Sequence, residues 1–143
     1  MEPGVCFCEE IMGRITAREK LFQLVFEQCF HDESDFLYDE IMSDENIDEE
    51  NKNWLSDMYG EIVDKKTIIL DDLAKYIKVY KVEDVYKVDL AILMMALYEI
   101  KYYKLTPAKI VANESVELAK KFSTPKSAKF VNGVIANIIK DNE

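Results

Sequence analysis

The stretch VDLAILMMALYEIKYY, Val88 to Tyr103, decides the fold class. It is apolar nearly all round, the mark of a central helix packed on several sides and not of a helix with one wet face. Its longest apolar run, Leu90 to Tyr98, falls far short of the roughly 20 residues that cross a bilayer. Downstream, Pro107 closes this element and Ile110, Val111, Val116, Leu118 and Ala119 recur at helical spacing, predicting a helix over about 109–122. Thr124-Pro125 then reads as an N-cap followed by proline at the first helical position. The last helix runs to about Lys140 on Val131, Val134, Ile135 and Ile138.

Upstream, Leu55, Met58, Tyr59, Ile62, Ile69, Leu73, Tyr76 and Ile77 keep close to one face. They predict a helix over about 49–78, bent near Lys65-Lys66, where the β-branched Thr67-Ile68-Ile69 weakens the pattern. Phe36, Leu37 and Ile41 suggest a short helix. Thr16-Ala17-Arg18-Glu19 reads as a capping box opening a helix over about 17–29. With only four Gly and three Pro to make turns, the expectation is an all-α fold of six or seven helices packed as two small helical bundles.

At 143 residues the chain is one domain with a real core; 49% apolar and 32% charged residues suit a globular protein. Residues 1–12, MEPGVCFCEEIM, lack the basic start of a signal peptide. They are expected to be a flexible N-terminal extension to a domain spanning 13–143, with Met12 a candidate natural start; mass spectrometry showing a native peptide from Met1 would reject that start. Three Cys and one His fit a reducing, cytoplasmic setting better than a disulfide framework. Cys6 and Cys8 could form a metal site only by recruiting Cys29 and His31, and Cys29 falls on an apolar helical face. His31 sits among Asp32, Glu33 and Asp35, a solvated turn. There is no Gly-rich phosphate loop, nucleophile elbow or metal-ligand spacing, so neither an enzyme nor a cofactor is expected.

The net charge of −10 opposes nonspecific phosphate binding, yet the charge is uneven. Between His31 and Glu50 stand ten acidic side chains and no Lys or Arg, while between Lys101 and Phe130 seven Lys face only Glu114 and Glu117. Arg14, Arg18 and Lys20 add to the basic side. The pattern fits either an ordinary solvated surface or a basic face for RNA opposed by an acidic one.

Two stretches carry a resemblance. Gly13-Arg14-Ile15-Thr16-Ala17-Arg18-Glu19, ahead of an apolar helix, is similar to the opening arginine-containing helix of the NusB transcription antitermination family. ILMMALYEI (Ile92 to Ile100), Pro107, ANESVELAKKF (Ala112 to Phe122) and KFVNGVI (Lys129 to Ile135) resemble that family in order and spacing. The resemblance implies two helical bundles that bind boxA-type single-stranded RNA jointly with NusE, a small-subunit ribosomal protein. It further implies that the pair joins RNA polymerase antitermination complexes, notably on ribosomal RNA operons, without cofactor or reaction.

By residue, the resemblance places Arg14 and Arg18 on phosphates, Lys126 and Lys129 beside them, and Phe130 on an unpaired base. The alternatives are helix solubility for the arginines and core packing for Phe130. Asp89, near the start of the central helix, would meet NusE, or else serve as a helix N-terminal charge. Asn113, Glu114 and Asn132 belong to the motifs and are expected to bond to neighbouring backbone. Ile15 and Thr16 stand where the family has more basic residues, and Met94 where it often has Arg. Two other readings remain: a free-standing relative of the NusB-like domain attached to some RNA methyltransferases, and a protein-interaction module, with a homodimer burying the first helix. A continuous positive patch joining Arg14, Arg18, Lys126 and Lys129 would favour RNA binding, whereas their separation onto different faces would favour the module.

Overall fold

The computed structural model describes residues 3–30 and 36–143, residues 3–12 by their backbone alone. His31, Asp32, Glu33 and Asp35, and the side chains of Cys6 and Cys8, therefore lie outside the described residues. The order is α1 (Pro3–Gln28), α2 (Phe36–Met42), α3 (Glu49–Asp64), α4 (Lys66–Ala74), α5 (Lys87–Tyr98), α6 (Ala108–Phe122) and α7 (Pro125–Asp141). A 3-10 turn, Val82–Asp84, precedes α5, and a π-helical turn, Glu99–Tyr103, prolongs it. The described residues contain no strand.

Every residue of α5 from Asp89 to Tyr98 is buried, as its unbroken apolar circumference requires. It packs against α1, α4, α6 and α7 and is the element the two bundles share: α1–α4 on one side, α6–α7 on the other. The π turn ends at Lys104, whose positive φ of 61° stops the helix while its N–H donates to the Glu99 carbonyl. Glu99 itself is fully buried. Stacking of Phe22 on Phe122, with ring centroids 4.9 Å apart, joins α1 to α6.

Two sequence readings change here. The backbone of α1 is helical from Pro3, so Thr16 is an exposed mid-helix residue and not a cap. Glu19, the other half of the expected capping box, receives the Lys121 ammonium at 2.6 Å. The long helix over 49–78 is two helices: Lys65, at φ −99° and ψ 13°, breaks it where the bend was expected, and α4 stops at Ala74. The Asp48 carboxylate caps α3 by accepting from the Asn51 N–H at 2.9 Å. No described helix is long and apolar enough to cross a membrane.

Candidate nucleic-acid interface

The start of α7 is set by local chemistry. Thr124 Oγ1 accepts from the Ser127 N–H at 3.1 Å, and Pro125, which has no N–H to satisfy, occupies the first turn. This cap aims Ser127 inward at the first turn of α5, where its hydroxyl donates to Asp89 Oδ2 at 2.9 Å. Asp89 is only 3% exposed, and its other oxygen, Oδ1, has no hydrogen-bond partner among the described residues. A buried carboxylate oxygen without a donor is costly, so an incoming N–H or cation would relieve it.

Asp89 and Ser127 line a cleft of about 520 Å³ together with Tyr80, Asp84, Val85, Tyr86, Thr124, Lys126 and Phe130. Phe130 is half-buried and meets Tyr80 edge-on, centroids 5.6 Å apart and planes at 71°. Tyr86 is 73% exposed at the cleft. Lys126 and Lys129 are exposed on the same face of α7, three residues apart, though only Lys126 lines the cleft. The assembly offers ring faces for stacking, a buried acceptor and flanking cations.

The two arginines stand elsewhere. Arg18 is buried, with Nη1 on Glu99 Oε1 and Nη2 donating to Glu99 Oε2 at 3.0 Å. Its guanidinium therefore closes a buried bidentate pair between α1 and the π turn. This corrects the expectation that Arg18 contacts a phosphate: its fork is already engaged. Arg14 is half-buried, donates from Nε to Asn51 Oδ1 at 2.8 Å, and lies 4.5 Å from the Trp54 ring centroid. The arginines and the cleft mark opposite ends of α5: Asp89 and Glu99 are ten residues apart, about 15 Å along a helix axis. The continuous four-residue patch that would favour RNA binding does not form, because Arg18 is inside; Arg14 at one end and Lys126 with Lys129 at the other are separated, the arrangement that favours the interaction module.

Sequence reasoning missed Tyr80, Tyr86 and Ser127. Val79-Tyr80 and Val85-Tyr86 do place aromatic residues in an otherwise charged segment, a signal that was present. Asn113 and Asn132 are exposed, so burial gives no support to the structural bonding expected of them. No group of three or more His, Cys, Asp or Glu able to hold a metal occurs among the described residues. Burial pushes the Cys29 thiol up from its ordinary range, keeping it protonated at neutral pH.

Fold and cleft together define a helical binding module: two packed bundles sharing one central helix, with an aromatic, basic and carboxylate-lined cleft at that helix's start. The chain belongs to the NusB family, whose family model matches residues 14–140. Transcription antitermination protein NusB of Clostridium kluyveri is 36% identical, with 92% of this chain and 98% of that protein covered. Its Bacillus subtilis counterpart is 33% identical over the same shares. Among solved structures, T. maritima NusB superposes with a TM-score of 0.83 at 29% identity, covering 90% of this chain and 92% of that one. A structure of antitermination factors NusB and NusE in complex with dsRNA superposes with a TM-score of 0.81 at 23% identity, covering 91% and 98%, which supports the shared fold.

Proposed function

We propose that this protein is a transcription antitermination factor that binds boxA-type RNA together with a NusE partner and acts as an assembly component of RNA polymerase complexes, in the cytoplasm and without catalysis. The cleft of Phe130, Tyr80 and the unsatisfied Asp89 oxygen carries the reading. Family membership and the names of the relatives support the antitermination role, and the solved NusB–NusE–RNA assembly supports the choice of partners. In this reading an unpaired base stacks on Phe130, and Lys126 and Lys129 meet flanking phosphates. Asp89 Oδ1 takes a donor from NusE, and Arg14 meets the RNA backbone beyond the far end of α5. The working unit is residues 13–143, in keeping with a family match that begins at residue 14. Met12 remains our proposed natural start.

One observation favours a second reading, a helical protein-interaction module or homodimer with weak RNA binding: Arg18 is withdrawn from the surface, thinning an already sparse basic face. Fluorescence anisotropy of labelled boxA-like RNA, with and without the cognate NusE, separates the two. Tighter binding with NusE and failure of a scrambled RNA establish the antitermination reading; equal binding of both RNAs by folded protein leaves the interaction module. Joint binding is expected to be tighter because two weak surfaces act within one complex.

A further inference from the structure

We infer that Asn51 and Trp54 are positioning residues that hold the Arg14 guanidinium ready for an RNA phosphate, an inference that rests on the RNA-binding reading above. Two restraints meet on this side chain. Asn51 Oδ1 takes the Nε–H at 2.8 Å, and the Trp54 ring centroid lies 4.5 Å from its Cζ. A hydrogen bond fixes the fork's direction and a ring contact fixes its tilt. Both supports are themselves immobilised: Asn51 is 4% exposed with its N–H on the Asp48 carboxylate, and Trp54 is 6% exposed within the core.

The close approach is built into the backbone. A Cβ at Gly13 would stand 2.8 Å from Asn51 Nδ2, so the glycine beside Arg14 lets α1 settle on the first turn of α3. Trp54 also carries Arg18, at 5.3 Å, but the two guanidiniums differ in charge balance. Arg18 is neutralised by Glu99, whereas the described residues supply Arg14 with an amide oxygen and a ring and no carboxylate. The Nε bond leaves its Nη groups, the outer tines of the fork, for an anion. Such an oriented guanidinium, with no carboxylate partner among the described residues, matches the planar bidentate geometry of a phosphate better than a freely rotating lysine would.

The test uses the full chain with its NusE partner and labelled boxA-like RNA over a salt series. Variants are Arg14→Ala, Arg14→Lys, Asn51→Ala, Trp54→Phe and the double Arg14→Ala/Asn51→Ala, each checked for its melting temperature. Arg14→Ala is expected to weaken RNA binding on the order of ten-fold and to lower the salt slope by about 0.7, as loss of one phosphate contact to a single strand does. Asn51→Ala weakens binding several-fold alone and adds nothing in the Arg14→Ala background; Arg14→Lys fails to restore wild-type affinity. Trp54→Phe keeps a ring in place and serves if Asn51→Ala does not fold, with a smaller loss that likewise vanishes without Arg14. Normal RNA affinity in folded Asn51→Ala, or losses that add in the double variant, would overturn the inference while leaving the RNA reading intact. Weakened NusE binding with unchanged RNA affinity would also overturn it, assigning Arg14 to a protein carboxylate. Absence of RNA binding by the wild type would overturn both.

Discussion

The two ends of α5 treat their charged groups in opposite ways. At the C-terminal end, Arg18 and Glu99 satisfy each other inside the protein, and their fork-to-fork geometry joins α1 to the π turn of the central element. At the N-terminal end, Asp89 is as deeply buried yet has one oxygen bonded to Ser127 and the other bonded to no described residue. Two buried charges along one helical stretch are thus held differently. The closed pair ties α1 to the end of the central helix, whereas the second oxygen of Asp89 is buried beside a cleft with an exposed lysine and three aromatic rings. Burial alone does not distinguish the two carboxylates; their hydrogen bonding does.

The largest expected effect would break this comparison at its closed end. Arg18→Ala strands a buried carboxylate and is expected to cost about 3–5 kcal/mol of stability, read by urea or thermal unfolding. The salt slope of RNA binding by the remaining folded protein should not change, and a fall in that slope would return Arg18 to the RNA surface. At the open end, Phe130→Ala should cost about 1–3 kcal/mol of RNA affinity, the worth of one stacked base. Because the ring is only half-buried, unfolding should shift far less than for Arg18→Ala. Large destabilisation with normal RNA binding would make Phe130 a core residue.

Smaller effects sharpen the picture. Thr124→Ala removes the cap that aims Ser127 at Asp89 and should cost about 1 kcal/mol, measured by denaturant unfolding. The π turn is also tied to α4 through Lys101, whose ammonium donates to Asp72 Oδ2 at 2.7 Å. That hydrogen bond holds the Lys101 pKa above its ordinary value. A raised cationic pKa contributes stability below the unfolded-state value and loses it as pH rises through the folded one. The tie therefore persists at neutral pH and fails only in alkali. Partly exposed, it should be worth under about 1 kcal/mol, and Lys101→Met should flatten the alkaline end of a stability-against-pH curve.

What could be read from the chain depended on how local the deciding physics was. The burial of α5 was legible because an all-apolar circumference has one meaning, and the Thr124-Pro125 start of α7 because a cap is decided within three residues. The Thr16 capping box was misread because its motif is local but its meaning depends on where the helix begins, and α1 continues back to Pro3. Arg18 was misread because its partner Glu99 lies 81 positions away. Ser127 escaped for the same reason, being joined to Asp89 across 38 positions. Phe130 was singled out through the KFVNG motif and does line the cleft, whereas Tyr80, which meets it, sits in a segment with no clear periodicity.

The central claim is that RNA enters at the open end of α5. Photocrosslinking of a boxA-like RNA to the complex with NusE, with the modified peptides mapped by mass spectrometry, tests it most directly. Crosslinks on Tyr80, Tyr86 or the Lys126–Phe130 segment, lost on competition with unlabelled boxA but not scrambled RNA, are the predicted result. Crosslinks confined to the acidic α2–α3 surface, or unaffected by the competitor's sequence, would contradict it.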